Sequence, residues 1–215
     1  MIDEREGGDM GDDVKPDPTA TSGKLRALAM AAYARIASEG FEGLRTRDVA
    51  ADVGVNIGTL HYYFPSKEAL IRGAADCLIA RYYATVTPEG SAADQLRAHL
   101  ENLRRLLKAD PEMWAVSSEI SLRSARDDAI AEVVKDATDH WHAIVREMVA
   151  RGVAEGVLPG DLEPDGAAAA LVGAIRGLSM PPTAVARPER IDQAIDQLER
   201  WLGLRPTLAP DPSHE

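Results

Sequence analysis

Residues 45–68 read RTRDVAADVGVNIGTLHYYFPSKE, and the punctuation of that run sets the fold. Thr46 is placed to cap a short segment, RDVAADV, with Val49, Ala50 and Val53 on one face. Gly54 breaks it at a point where the backbone needs a freedom other residues lack. Asn56 can cap a second segment, IGTLHYYF; Pro65 stops that one, and Ser66 opens a helix running to about Tyr83. Two short capped helices around a tight glycine turn predict a helix-turn-helix, whose second helix can enter the major groove. Val49, Val53, Val55 and Leu60 supply the small core between them. The second helix then exposes Asn56, Gly58, Thr59, His61, Tyr62 and Tyr63, polar and aromatic groups in place of the usual Lys/Glu coat. Gly58 and Thr59 are small enough to let it approach base edges closely. Lys67 sits in the first turn of the next helix, where the macrodipole disfavours a cation. A phosphate there would be held by both backbone N–H groups and the ammonium; a solvated surface lysine is the plain alternative.

Working outward, the chain is all-helical. Upstream, Thr21 or Ser22 can cap a helix in which Leu25, Leu28, Ala29, Ala32 and Ile36 recur at helical spacing. Gly40 ends it, with Phe41 folding back on the last turn. Downstream, apolar helical patterns cover roughly 91–108, 111–124 and 127–155, and LPGDLEPDG (158–166) reads as a loop. A helix of small residues follows, GAAAALVGAIRGLSM, then the loop PPTAVARP, then a last helix with Ile191, Ala194, Ile195, Leu198, Trp201 and Leu202 along one stripe. No strand-like alternation and no internal repeat is found. The expected organisation is an acidic tail at 1–21, a helix-turn-helix domain at 22–68, a helical body at 69–203 and a tail at 204–215.

Composition narrows the function classes. With 45% hydrophobic and 27% charged residues, the 215-residue chain is an ordinary globular one and can bury a proper core. No run approaches the ~18 apolar residues of a membrane span, and MIDEREGGDMGDD is not a secretory pattern, so a cytoplasmic protein without a membrane partner is expected. The single cysteine, Cys77, excludes an internal disulfide and a multi-cysteine zinc site; no cofactor or metal is expected. His140 and His142, two apart on a helix, point in different directions. Neither a phosphate-binding GxxxxGK[ST] loop nor a GxSxG elbow occurs, so an enzyme is not expected. The net charge of −11 is uneven: residues 24–84 carry eight cations against six anions, and both flanking blocks are acidic. At a Debye length of about 8 Å, remote acidic surface scarcely acts on a contact made through that middle block.

The first helix ending at Gly40–Phe41 and the run TRDVAADVGVNIGTLHYYFPSKEAL (46–70) resemble the tetracycline-repressor (TetR) family of transcriptional regulators. The close resemblance covers roughly residues 22–83; beyond it, helix number and EGVLPGDLEPDGAAAALVGAIRGL (155–178) match loosely. It implies Thr46 and Arg47 at the start of a helix crossing the DNA backbone. It places Asn56, Gly58, Thr59, His61 and Tyr63 in or beside the groove, with Tyr62 and Lys67 near phosphates. Tyr62 stands equally open to packing, whereas Phe64 reads as core. This chain departs from the family at His61, more often Tyr, and at Tyr63, more often His, so the base preference does not transfer.

The resemblance further implies a homodimer on a palindromic double-stranded operator, with a small-molecule effector bound by the C-terminal helices. Ala167 to Ala170, Gly173, Ala174 and Gly177, with the Ile191–Leu202 stripe, are the candidate interface; periodicity alone fits an intramolecular core equally. The candidate effector lining is Leu103, Leu107, Met113, Trp114, Ser118, Leu122, Trp141 and Met148, a mostly apolar set with one hydroxyl. Each of these also reads as plain core, and the neighbouring Glu119 as a solvated glutamate. The expected function is a ligand-responsive regulator, a repressor released by a largely apolar effector. The alternatives are a regulator controlled by a protein partner, and a helical carrier or enzyme that keeps the helix-turn-helix as scaffold.

Overall fold

The computed structural model of the chain describes residues 18–180 and 187–204. Expectations for 1–17, 181–186 and 205–215, which cover most of both tails and of the PPTAVARP loop, lie outside these residues. The described chain forms helices throughout and no strand: α1 (Pro18–Gly43), α2 (Thr46–Val53), α3 (Ile57–Tyr63), α4 (Lys67–Tyr83), α5 (Ala92–Ala109), α6 (Pro111–Ser124), α7 (Asp128–Ala154), α8 (Pro164–Leu178) and α9 (Glu189–Trp201).

Capping chemistry sets most of these boundaries. The side chains of Asn56, Ser66, Ser91, Asp110, Asp127 and Glu163 each accept a backbone N–H from the first turn of the helix they precede, satisfying donors that a helix leaves unpaired. Two expected caps are corrected. α1 begins at Pro18, so Thr21 and Ser22 lie inside it, and the expected tail ends sooner than residue 21. Thr46 is the first helical residue of α2, with Arg45 at the cap position and no side-chain cap bond. The glycine turns stand where the sequence puts them: Gly54 adopts φ 71°, and Gly40 adopts φ 68° and breaks α1 ahead of Phe41.

α1 packs against α2, α4 and α6, and α2 against α3, making a head. The body is built by α5, α6 and α7, with α8 on α7 and α9 on α5. One continuous hydrophobic core joins the two, from Leu28, Val49 and Leu60 through Leu70 and Leu78 to Leu100, Val149 and Ile175. α4 belongs to both: seventeen residues make a rod about 25 Å long. Leu204, expected in the tail, is buried and donates its N–H to the Glu199 carbonyl at 2.8 Å, so it packs with the body.

The α9 stripe is the main correction. Ile191, Ile195 and Leu202 are wholly buried in the chain's own core. They are not an exposed seam, because α9 uses that face against α5. Arg104 of α5 locks the contact through ion pairs to Asp192, Asp196 and the buried Glu199. Ile195→Ala should therefore lower stability by about 2–5 kcal/mol, the cost of a truncated core side chain, as read by chemical denaturation.

Candidate functional site

The head presents α3 outward on a clamped support. Arg35 of α1 donates from Nε and Nη2 to the two carboxylate oxygens of Asp52 at 2.7 and 2.9 Å, tying α1 to α2. That guanidinium holds the Asp52 carboxyl below its usual range through its hydrogen bonds. The residues expected on the α3 surface differ in exposure. Gly58 and His61 are exposed, Thr59 is half-buried, and Leu60 turns inward, fully buried. Asn56 is exposed, but its side-chain oxygen accepts both the N–H and the hydroxyl of Thr59, at 2.8 and 3.2 Å. Only its amide N–H group is left for an outside partner. Tyr62 is 71% exposed, which separates it from the core, and its ring meets Tyr63 edge-on at 5.1 Å. Tyr63 is half-buried against the core, and Phe64 is buried outright. Arg47 is exposed and Thr46 half-buried at the start of α2.

Lys67 is not a freely solvated lysine. It is half-buried and donates to the Phe41 carbonyl at 3.0 Å, which leaves two of its N–H groups for another partner. The Phe41 N–H in turn donates to Glu119 Oε2 of α6 at 3.2 Å. Glu119, expected to be a solvated glutamate, thus holds the break at Gly40. No local signal could have revealed this, since the partners lie 78 residues apart.

The body holds a cleft enclosing about 640 Å³ of empty space, its open mouth included. α4 contributes Ala75, Leu78, Ile79, Tyr82 and Tyr83; α6 contributes Ser117, Ile120 and Ser121. α7 adds Val134, Ala137, Thr138 and Trp141, and α8 with its C-terminal end adds Arg176, Ser179 and Met180. Of the expected lining, only Trp141 is here. Leu103, Leu107, Met113, Trp114 and Met148 are buried in the packed core. Ser118 turns its hydroxyl back onto the Trp114 carbonyl at 2.9 Å, and Leu122 is 58% exposed. Periodicity finds inward faces but cannot tell a filled interior from a hollow one, so the α4 and α8 contributions were missed.

One wall of the cleft is fixed by a hydrogen-bond chain. Trp141 Nε1–H donates to His99 Nε2 at 3.0 Å, so the neutral imidazole carries its proton on Nδ1, facing the Thr85 hydroxyl at 3.0 Å. Thr85 donates onward to the Tyr82 carbonyl. Burial pushes the His99 pKa down from 6.5 to about 4. The Cys77 thiol, half-buried, is pushed up by burial and is a poor nucleophile. Among the described residues no group of His, Cys, Asp and Glu could hold a metal, and no helix is long and apolar enough to cross a membrane.

Comparison with known proteins adds the following. A family model described as bacterial regulatory proteins, tetR family, matches residues 29–74, and one for the C-terminal part of BetI-type transcriptional repressors matches 92–204. No curated protein matches. Among solved structures, a putative TetR-family transcriptional regulator from Rhodococcus sp. is 23% identical, with TM-score 0.72 over 84% of this chain and 99% of its own. A putative transcriptional regulator from Saccharomonospora viridis, in complex with choline, is 25% identical, with TM-score 0.66 over 85% of this chain and 96% of its own. A TetR transcriptional regulator from Chloroflexus aurantiacus J-10-FL is 20% identical, with TM-score 0.70 over 86% and 95%.

His99 makes a pH prediction. Between pH 6.5 and 4 the unfolded chain binds a proton that the folded chain excludes, so this group's contribution is intact above 6.5 and lost as pH falls. Stability should drop by about 2 kcal/mol from this group between pH 7.5 and 5. His99→Gln should show a correspondingly shallower pH dependence in denaturant unfolding.

Proposed function

Since the chain belongs to the tetR family of bacterial regulatory proteins, and is therefore a DNA-binding transcription regulator and not an enzyme, we propose that it is a repressor. In this reading a homodimer holds a palindromic operator and is released by a small, largely apolar effector. The observation that carries it is α3 itself: a capped helix on a clamped support, showing Gly58, His61 and Tyr62 to solvent. Its residues would read base edges, with Thr46, Arg47, Tyr62 and Lys67 on phosphates and Asn56, Gly58, Thr59, His61 and Tyr63 in or beside the groove.

The dimer face would be the outer side of α8. Of the expected run, Ala167 and Ala168 are buried in the chain's own core, whereas Ala169, Ala170, Gly173 and Gly177 are exposed, and a Cβ at Gly173 or Gly177 would meet nothing within 4 Å. Trp201, 49% exposed, borders an open depression with Leu162 and Gly166 and extends that face. Reading a palindromic operator this way requires the two α3 helices to stand about one DNA turn, ~34 Å, apart. The choline bound by the Saccharomonospora viridis protein supports a small-molecule role for the body; which occupant the cleft takes here depends on this chain's own lining.

Release would run through shared parts. α4 and α6 line the cleft, and the same two helices hold Phe41 through Lys67 and Glu119. An effector that wedges the cleft shifts both and changes the spacing of the heads. A hundredfold loss of operator affinity needs about 2.7 kcal/mol of preference for the released spacing.

Selection of bound sequences from a random DNA pool tests the reading. A palindrome should be enriched, and the protein should sediment as a dimer on it. Lys67→Ala should flatten the salt dependence of operator binding by about one unit per half-site. No enrichment with folded dimer, or a slope unchanged by Lys67→Ala, would count against the phosphate-contacting head. Glu119→Ala should weaken operator binding several-fold, about 1 kcal/mol for the lost Phe41 hydrogen bond, with the dimer mass unchanged.

A further inference from the structure

The cleft carries an electrostatic asymmetry. Its lining is mainly apolar, yet among the described residues it contains one cation, Arg176, and no carboxylate. Among the described residues no acidic side chain pairs with that guanidinium; its contact is with the Thr138 hydroxyl. Thr138 spends its own proton on the Val134 carbonyl at 2.6 Å, so it meets Arg176 as an acceptor. Ser117, also on the lining, is 7% exposed, and its buried hydroxyl has no hydrogen-bond partner. A buried hydroxyl without a partner is costly and seldom left so.

The aromatic residues do not form a cage for a cation. Tyr82 and Trp141 close on each other, with centroids 5.3 Å apart and planes tilted by 35°. A cation held between two ring faces would need them about 7 Å apart, one van der Waals contact on each side. The Tyr83 hydroxyl is spent on the Ala137 carbonyl at 3.2 Å, and its ring meets His140 edge-on. His99, neutral behind Trp141, adds no charge to the lining.

Resting on the reading that this cleft is the effector site, we propose that the effector is an apolar molecule ending in a carboxylate. Arg176 pairs with the carboxylate, the Ser117 hydroxyl donates to it, and the apolar body lies against Leu78, Ile120, Tyr82 and Trp141. The remaining guanidinium N–H groups suit a planar two-oxygen acceptor.

Calorimetric titration of the full chain with a matched set tests this: phenylbutyrate, its primary amide, and phenylbutyltrimethylammonium. Phenylbutyrate should bind at least about tenfold more tightly than the amide, and the ammonium compound should be weakest. Arg176→Gln should erase the preference for carboxylate over amide while amide binding persists, which shows the cleft intact. Arg176→Lys should restore only part of it, because an ammonium lacks the planar fork. Ser117→Ala should weaken phenylbutyrate more than the amide. Equal or tighter binding of the ammonium compound, or a preference that survives Arg176→Gln, overturns the proposal and leaves the cleft as an effector site of other chemistry. Binding of none of the three overturns the effector role of the cleft together with it.

Discussion

The main chain of Phe41 is gripped from both sides, at the point where head and body meet over their shared core. Its N–H is taken by Glu119 of α6 and its carbonyl by Lys67 at the start of α4. The break at Gly40 leaves the Phe41 N–H without its helical acceptor, while the carbonyl, which also accepts the Leu44 N–H at 3.3 Å, lies in the last turn before α1 ends at Gly43. From there α4 runs as an unbroken rod through the shared core to Tyr82 and Tyr83 on the cleft wall. Its far end is tied as well: Arg81 pairs with Asp110, which caps α6, and lies over the Tyr33 ring at 4.3 Å. A close-packed interior does not absorb displacement continuously. In the proposed release, a shift forced on α4 or α6 at the cleft would be carried to Phe41 by these contacts.

The same structure explains how an acidic chain can present a DNA-binding face. Arg35 is committed to Asp52 and Glu39, so the positive block at 24–84 spends one cation on holding the head together. Arg45 and Arg47 stand exposed at the start of α2, and Lys67 keeps two donors. In the proposed reading these cations would hold the phosphates, and discrimination would fall to α3 and to the doubling of the site in a homodimer.

Legibility in the sequence followed the range of the interactions. The α3 cap at Asn56, the turn at Gly54 and the α4 cap at Ser66 are contacts within four residues, and each stands where the residue types put it. α5, α6 and α7 were legible to within a residue or two, because burial imposes its period over many turns. What failed was long-range. Ile191, Ile195 and Leu202 form an apolar stripe that serves a core or an interface with the same spacing, and only the position of α5 decides. The cleft failed for a related reason. Leu103, Met113 and Met148 point inward as expected, but whether neighbours fill the space around them depends on how four helices splay. Arg176 carried a weak signal: an arginine in the small-residue run GAAAALVGAIRGL, on the helix that also offers the candidate dimer face.

His99 shows how the cleft keeps its electrostatic character. An imidazole behind an aromatic wall could have supplied a second positive charge, which would have made the lining respond to pH near neutrality. Burial prevents that by favouring the neutral form down to about pH 4, and the Trp141 N–H fixes which nitrogen keeps the proton. Protonating His99 would turn an acceptor into a donor facing a donor, so the charge could form only if Trp141 moved. The wall that orients the rings and the neutrality that leaves Arg176 as the only charge among the described lining residues are thus one feature. For the proposed carboxylate effector, selectivity would come from the penalty on a wrong ligand, which leaves Ser117 and Arg176 desolvated and unmatched, more than from attraction to the right one.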